Sequence, residues 1–258
     1  MKKKSVITHH RPHAPLTSIL KKRSGRDSSG HVSMRHQGGR QKRLYRQIDF
    51  KRDKRGIYAD VKTIEYDPNR NSHISLVQYQ DGEMRYIVAP LNLKVGDQVI
   101  ASEKAEIQVG NALPLKSIPI GIEIHNVELF PGQGAKFVRS AGSFATIIAK
   151  EDNGVHVKLM SGEVRLFSPE GYATIGRVGN IGHKDEVIGK AGRSRLMGIR
   201  PTVRGTAQNP RSHPHGGGEG RSGEGMHPKT PWGKQARGVR TRNPRKWTSK
   251  LIISKRPR

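Results

Sequence analysis

The segment His73–Ala89, H-I-S-L-V-Q-Y-Q-D-G-E-M-R-Y-I-V-A, decides the fold of this chain. Two runs rich in β-branched and aromatic residues, His73–Gln80 and Glu83–Ala89, flank the dipeptide Asp81-Gly82. Aspartate followed by glycine is favoured in a two-residue type I′ turn, which joins antiparallel strands. The segment therefore predicts a β-hairpin, and the centre of the chain is predicted to be β throughout.

Neighbouring segments extend the hairpin in both directions. On its N-terminal side, Tyr58–Tyr66 alternates apolar and polar residues and stops at the turn formers Asp67-Pro68-Asn69. On its C-terminal side, Lys94–Ile100 predicts a turn into a strand and Ala105–Val109 predicts a further short strand. Five short strands in close succession are typical of a small closed or partly open barrel of the oligonucleotide-binding (OB) kind.

A second group of strands follows the connector Leu115–Ile124. Asn153-Gly154 and Ser161-Gly162 mark the turns of a meander. The strands predicted in this meander are Phe144–Lys150, Val155–Met160, Glu163–Phe167 and the closing segment Ala173–Gly176. A second small barrel is therefore expected. Helix is scarce, and Lys184–Leu196 is the best candidate for a short helical turn.

Charge divides the chain into three segments, and the strand pattern divides the central one in two. Residues 1–57 hold 17 lysines and arginines against 3 acidic residues, residues 58–195 hold 16 of each, and residues 196–258 hold 15 against 2. The net charge of +27 and a sequence pI near 10.8 imply a polyanionic partner. We predict a basic N-terminal arm at 1–57, an OB-fold RNA-binding domain at 58–118, a second barrel at 119–195 and a basic C-terminal arm at 196–258.

The N-terminal arm follows neither the helical nor the strand period, so it is predicted to be an extended strap ordered by a partner. Its lysines and arginines alternate with Tyr45 and Phe50. Such rings stack on bases in nucleic-acid interfaces. They also anchor chain segments onto a core, and the sequence leaves both roles open for Tyr45, Ile48 and Phe50.

The stretch Asn209–Gly220, N-P-R-S-H-P-H-G-G-G-E-G, has too many prolines and glycines to form an ordinary helix or strand. We expect a partner outside the local chain to order it.

A metal site at His213, His215, Glu219 and His227 is conceivable, but no helix or hairpin is predicted to fix these ligands. The three glycines lack the spacing of a nucleotide-binding loop, and a histidine base would lack an orienting partner and an oxyanion donor. We therefore predict that the chain is not an enzyme.

Other classes are excluded by what the sequence lacks. With no cysteine, the chain has neither disulfides nor thiolate metal sites. No apolar run of membrane-spanning length is present, so no membrane partner is expected. The first ten residues lack the apolar region of a signal peptide, while the absence of acidic residues from the first 26 is compatible with an organellar transit peptide.

Spaced motifs from Arg11 onward resemble the universal large-subunit ribosomal protein two family in its bacterial or organellar form. They are Gly25-Arg26, Arg35-His36 with Gly38-Gly39, Tyr45-Arg46, Asp49–Arg52, Glu65–Arg70, Asp81-Gly82-Glu83, Arg85-Tyr86-Ile87, Gly110-Asn111, His125–Leu129, Arg139–Gly142, Gly189–Gly192, Arg200–Gly205 and Asn209–Gly220. The chain departs from the family pattern at four places: Arg40-Gln41-Lys42, Pro131–Ala135, Leu196 and Ser212.

The resemblance implies an OB barrel followed by a small Src-homology-3-like barrel, with basic arms that thread into large-subunit rRNA near the subunit interface and the peptidyl-transferase centre. It implies roles in assembly, subunit association, tRNA binding and peptide-bond formation, with rRNA carrying out the transfer. Expected partners are large-subunit rRNA, neighbouring ribosomal proteins, the small subunit and, indirectly, tRNA. The expected location is the ribosome of the bacterial cytoplasm, with the mitochondrial matrix or plastid stroma as the alternative. We expect no cofactor apart from structural magnesium ions bound by the rRNA.

Ten cations are the expected phosphate contacts: Arg35, Arg46, Arg52, Arg70, Lys190, Arg193, Arg195, Arg200, Arg204 and Arg221. His36, His213 and His215 are expected to contact bases or riboses, and Gly216, Gly217 and Gly218 supply backbone that RNA can approach closely. Two competing hypotheses are a metalloprotein or enzyme using His213, His215 and His227, and a DNA-compacting basic protein.

Overall fold

The computed structural model describes residues 6–257, and its contacts define two compact units. The first, which we call the barrel unit, comprises Met1–Leu20, Lys42–Val187 and Thr248–Arg258. The second, which we call the basic unit, comprises Lys21–Gln41 and Ile188–Trp247. Residues 1–5 and 258 lie outside the described part, so the predicted features of the extreme N-terminus stay predictions. The three boundaries between the four predicted segments also stay predictions.

All of the strands in residues 6–257 belong to the barrel unit. They are β1 (Thr17–Ile19), β2 (Leu44–Arg46), β3 (Ala59–Glu65), β4 (Ile74–Tyr79), β5 (Met84–Val88), β6 (Gln98–Val99), β7 (Ala112–Pro114), β8 (Glu123–His125), β9 (Ala145–Glu151), β10 (Gly154–Leu159), β11 (Val164–Phe167), β12 (Tyr172–Ile175) and β13 (Ile252–Ser254). The basic unit contains the α-helix α1 (Ala191–Met197), within the segment predicted to hold a helical turn. Single 3₁₀ turns occupy Ala14–Leu16, Leu115–Ser117, Ile181–Asp185, Gly205–Ala207 and Trp247–Ser249.

The first sheet contains the hairpin that the sequence predicted. Its strand order is β5-β4-β3-β6, with every pair antiparallel. Apolar residues of these strands alternate toward one core, which contains Val61, Val77, Tyr79, Ile87 and Val99. A register shift between Val61 and Thr63 bends β3, as bulges do in small curled sheets. The chain is mainly β, and this curled sheet is consistent with the expected OB-type barrel.

The second sheet has seven strands in the order β13-β11-β10-β9-β8-β12-β7. Its core is the larger of the two and includes Ile124, Ile147, Val157 and Phe167. Residues at the very end of the chain complete this sheet, because β13 pairs with β11 and the Leu166 N–H donates to the Leu251 carbonyl at 2.9 Å. The segment predicted as a C-terminal arm therefore ends in a strand of the barrel unit.

Two details of the strand prediction are wrong. Ala105–Val109 is not a strand, because the Gln108 N–H bonds back to the Glu106 carbonyl and a turn follows at Gly110 with φ of +97°. The Asp81-Gly82 turn is not type I′, which needs positive φ at both residues; only Gly82 has it, at +87°. The Gly82 N–H donates to the Tyr79 carbonyl, and the Tyr79 N–H donates to the Glu83 carbonyl. The loop between Tyr79 and Glu83 therefore has three residues.

The N-terminal arm is only partly a strap. β1 and β2 pair with each other, and the His13 N–H donates to the Tyr86 hydroxyl, which donates to Glu65 at 2.7 Å. Ile48 packs against the cluster around Tyr86. The guanidinium groups of Arg70 and Arg139 lie over the Phe50 ring at 5.7 and 4.8 Å, whereas Tyr45 is 38% exposed. The anchoring role is therefore confirmed for Ile48 and Phe50.

Candidate nucleic-acid interface

The basic unit concentrates the charge of the molecule. Its two segments contain 20 lysines and arginines against 3 acidic residues, so the unit carries +17 of the net +27. Most of its backbone forms turns and bends rather than regular elements. Charge this dense favours a partner that supplies negative charge.

Backbone pairing between the two segments holds the basic unit together. Gln37 and Ile199 form an antiparallel bridge, the Arg200 N–H donates to the His36 carbonyl at 3.0 Å, and the Gly38 N–H donates to the Gly198 carbonyl at 2.9 Å. His36 adopts a left-handed conformation, with φ of +58°. The motif predicted around Arg35-His36 is therefore brought next to the predicted cation Arg200.

The stretch Asn209–Gly220 folds against its own chain. The Asn209 carbonyl accepts hydrogen bonds from the Ser212 and His213 N–H groups at 2.8 and 3.2 Å. The Gly216 N–H donates to the His213 carbonyl and the Gly217 N–H to the Gln208 carbonyl. These local hydrogen bonds satisfy part of the backbone of this stretch, and the expectation that a partner outside the local chain orders it stays a prediction. The expectation that it is neither helix nor strand is confirmed.

Neighbouring protein atoms leave no room for a side chain at several glycines of this region. A Cβ on Gly216 would lie 2.5 Å from the carbonyl oxygens of Gln208 and Asn209. A Cβ on Gly217 would lie 2.7 Å from Cγ of Pro210, and φ of +90° already disfavours other residues there. A Cβ on Gly205 would lie 2.6 to 2.8 Å from atoms of the His213 ring. These glycines therefore allow close approach between backbone and other atoms of this chain, while the contacts of Gly216, Gly217 and Gly218 with RNA stay predictions.

His213 and His215 form a buried pair, each 8% exposed, with ring centroids 4.8 Å apart. The His215 N–H donates to Nδ1 of His213 at 3.0 Å, and the Lys229 N–H donates to Nε2 of His215 at 2.9 Å. A backbone N–H can only donate, so each of these ring nitrogens carries a lone pair. The remaining proton is therefore on Nε2 of His213 and on Nδ1 of His215, which faces Glu224 Oε1 at 4.0 Å.

Seven of the ten cations predicted to contact phosphates are exposed in the basic unit. These are Arg35, Lys190, Arg193, Arg195, Arg200, Arg204 and Arg221. Four of them, from Lys190 to Arg200, lie on or beside α1, where Ile188, Gly189, Lys190, Gly192, Arg193 and Leu196 line an open groove of about 620 Å³. Their contacts with RNA stay predictions.

The other three predicted cations belong to the barrel unit and contact protein groups. Arg46 and Arg52 are each 7% exposed. Nε of Arg70 lies 2.6 Å from the fully buried carboxylate of Asp67, and Arg46 approaches the same carboxylate at 4.0 Å. Arg52 faces the Gly110 carbonyl at 3.4 Å. Folding therefore uses these three guanidinium groups, and a role in RNA contact stays a prediction for each.

Sequence reasoning missed two features. The first is Trp232, whose side chain is 74% exposed beneath the guanidinium group of Arg35 at 6.0 Å. The neighbouring Pro231 and Gly233 do not indicate in sequence that the indole is exposed. The second is an ion-pair cluster in the barrel unit, where Arg85 contacts Asp49 at 3.0 Å and Glu83 at 2.7 Å and also pairs with Asp53. Alternate spacing of Glu83 and Arg85 on one strand was the available signal.

Two features are absent from residues 6–257. Within this range no three His, Cys, Asp or Glu side chains converge as metal ligands would, so His213, His215, Glu219 and His227 do not form such a group. Nor does any helix in the same range combine the length and apolar character needed to cross a bilayer.

Comparison with protein-family models gives two matches in chain order. Residues 13–101 match the model described as "Ribosomal Proteins L2, RNA binding N-terminal domain". Residues 108–233 match the model described as "Ribosomal Proteins L2, C-terminal domain". The second match ends at Gly233, immediately after Trp232, and therefore includes the buried histidine pair and α1.

Proposed function

The chain belongs to the ribosomal protein L2 family, and we propose that it binds rRNA near the subunit interface and the peptidyl-transferase centre. As a member of this family it is an RNA-binding structural component of the large ribosomal subunit, and it acts in translation as part of a ribonucleoprotein. The observation that carries the proposal is the net charge of +17 on the basic unit. We assign the phosphate contacts to the seven exposed cations of that unit.

Chain connectivity explains why the barrel unit is needed for binding. The basic segment Lys21–Gln41 leaves the barrel unit after β1 and returns to it before β2, and these strands pair with each other. The segment Ile188–Trp247 returns to the barrel unit at β13. Each basic segment is thus a loop closed at both ends rather than a free tail. Closing a loop in advance lowers the conformational entropy lost when RNA orders it.

Support for peptide-bond formation is indirect in this proposal. His213 and His215 are buried and use one ring nitrogen each to hold backbone, so we assign them to local structure and the transfer chemistry to rRNA. The assembly, subunit-association and tRNA-binding roles follow from the same placement, with neighbouring ribosomal proteins and the small subunit as further partners. The protein needs no cofactor of its own, and magnesium ions belong to the rRNA.

Salt dependence tests the phosphate contacts. Each phosphate that the protein neutralises adds roughly 0.7 to 0.9 to the slope of log Kobs against log salt concentration. With seven contacts, the affinity for a large-subunit rRNA transcript should fall with a slope of about −5 to −6. An Arg204→Ala variant should lose about one contact from that slope. A slope near zero for the unmodified chain would contradict the assignment.

A tethered cleavage reagent tests the position within the subunit. Because the chain has no cysteine, a single cysteine can be introduced at the exposed Ser212 and coupled to an iron chelate that generates hydroxyl radicals. In reconstituted large subunits, the Ser212→Cys probe should cleave rRNA at the peptidyl-transferase centre. A matched Asp152→Cys probe on the exposed turn between β9 and β10 should cleave elsewhere. Identical cleavage patterns, or no cleavage at the centre from Ser212→Cys, would refute the placement.

For the cellular location we propose the ribosome of the bacterial cytoplasm, with the mitochondrial matrix or plastid stroma as the alternative. A tagged chain in its native host should co-fractionate with cytoplasmic large subunits. Co-fractionation with organelles would establish the alternative.

A further inference from the structure

We infer that Trp232 stacks on an unpaired base of the bound RNA and that the buried histidine pair positions it. The inference rests on the proposed function, because it names the part of the RNA that this site would recognise. Trp232 lies in the turn Pro228–Ala236, which we call the tryptophan turn. Its indole is 74% exposed although tryptophan is among the side chains that gain most from burial.

The tryptophan turn is well ordered by its own hydrogen bonds. Lys229 and Gln235 form an antiparallel bridge, the Thr230 N–H donates to the Lys234 carbonyl at 2.7 Å, and the Gly233 N–H donates to the Thr230 carbonyl at 2.9 Å. The Lys234 N–H also donates to Oγ1 of Thr230 at 3.2 Å. An exposed ring on such a turn loses little freedom on binding, which favours it as a contact residue.

The histidine pair connects this turn to the rest of the basic unit. The Lys229 N–H at the base of the turn donates to Nε2 of His215, and the His215 N–H donates to Nδ1 of His213. The His213 ring lies against the backbone of Gly205, where no Cβ fits. His215 is therefore a positioning residue: it fixes the start of the turn that carries Trp232.

Charge identifies the occupant as RNA. The guanidinium group of Arg35 lies over the indole at 6.0 Å, and Lys229 and Lys234 belong to the same turn. Since most of the indole is exposed with Arg35 over one face, the opposite face is open to a planar partner. Every nucleobase offers such a plane, and the surrounding cations suit the adjoining phosphates. Paired bases in an A-form helix are already stacked, so the partner is an unpaired base.

Fluorescence of the full chain tests the stacking directly. The chain has two tryptophans, so a Trp247→Phe variant leaves Trp232 as the single indole emitter. When this variant is titrated with a large-subunit rRNA transcript, Trp232 emission should be strongly quenched. Trp232→Ala should weaken binding by about fivefold to 150-fold, the loss expected for one base–aromatic stack, and Trp232→Phe should recover most of it. Trp247→Phe alone is the matched control and should bind normally.

The salt slope separates stacking from charge. Trp232→Ala should lower affinity at every salt concentration while leaving the log–log slope unchanged, whereas Arg204→Ala should reduce that slope by about one contact. His215→Leu should abolish the quenching with the slope retained, and His215→Gln, which keeps an acceptor for the Lys229 N–H, should restore part of it.

Several results would overturn the inference and leave the proposed function intact. They are tight rRNA binding without a change in Trp232 emission, Trp232→Ala binding within twofold of the unmodified chain, a salt slope lowered by Trp232→Ala, and quenching that requires another ribosomal protein. Failure of the unmodified chain to bind the transcript would instead remove the proposed function, and the stacking inference with it.

Discussion

Replacement of Gly216 by alanine tests the account of the Asn209–Gly220 stretch most sharply. The new Cβ would lie 2.5 Å from two backbone carbonyl oxygens, those of Gln208 and Asn209. Both oxygens are held in place, because the first accepts from the Gly217 N–H and the second from the Ser212 and His213 N–H groups. Overpacking of this kind costs about 1 to 3 kcal/mol, and fixed backbone on both sides places Gly216→Ala toward the upper end, at about 2 to 3 kcal/mol.

Amide hydrogen exchange measures this cost locally. In the full chain, N–H protection across residues 205–235 should fall by about 30-fold to 150-fold in Gly216→Ala, while protection of the barrel strands should not change. Gly223→Ala is the matched control, because no atom lies within 4 Å of its added Cβ and its φ is ordinary. Equal protection in the two variants would refute the conclusion that the glycine run is fitted against its own chain.

Three further changes test the barrel unit. Arg85→Met should lower the free energy of unfolding in urea by about 3 kcal/mol, because the Asp49 carboxylate, which is 7% exposed, would lose its cation. An effect below about 1 kcal/mol would contradict the conclusion that the ion-pair cluster stabilises the barrel unit. Burial lowers the pKa of His125 to about 4 from 6.5, so unfolding free energy should be constant above pH 6.5 and fall by about 3 kcal/mol on acidification to pH 4, a slope that His125→Gln should remove. Deletion of residues 248–258 should cost about 2 kcal/mol, since it removes β13 and Leu251 from the second sheet; an unchanged urea midpoint would show that the end of the chain is not part of the fold.

Local patterns in the sequence predicted most of the two sheets. Tyr58–Tyr66 alternates apolar and polar residues, and the arms of the His73–Ala89 hairpin are rich in β-branched and aromatic residues. These patterns placed the three strands within one or two residues. Ala105–Val109 has the same alternation but its Ile107 and Val109 remain exposed. A short apolar alternation does not reveal whether a partner strand is available, and here the backbone bonds to itself instead.

The end of the chain shows a second limit. Residues 252–254 join the sheet through pairing with β11, far away in the sequence. They are two isoleucines and a serine, but they lie among Lys250, Lys255 and Arg256 in a segment with the composition of a basic tail. The pairing of β1 with β2, which closes the loop Lys21–Gln41, cannot be predicted from the sequence for the same reason. Pairings between distant segments depend on the assembled fold, so the sequence predicted free arms where the structure has closed loops.

For the candidate site, composition was more informative than motif chemistry. The charge distribution predicted basic arms at 1–57 and 196–258, which overlap the two segments of the basic unit, and seven of the predicted cations are exposed in that unit. Residue type alone could not separate them from Arg46, Arg52 and Arg70, whose groups contact protein atoms, because an arginine that pairs with a buried aspartate looks the same in sequence as one on the surface. The histidine pair likewise needed its hydrogen-bond partners before a structural role could be assigned.

Sedimentation combined with salt titration tests the central claim most directly. The full chain, expressed in its native host and released from gradient-purified large subunits by increasing salt, should co-sediment stoichiometrically with those subunits at low salt. The released protein should rebind large-subunit rRNA with a log–log salt slope of about −5 to −6. Sedimentation with chromosomal DNA instead of large subunits, or rebinding that does not depend on salt, would contradict the account.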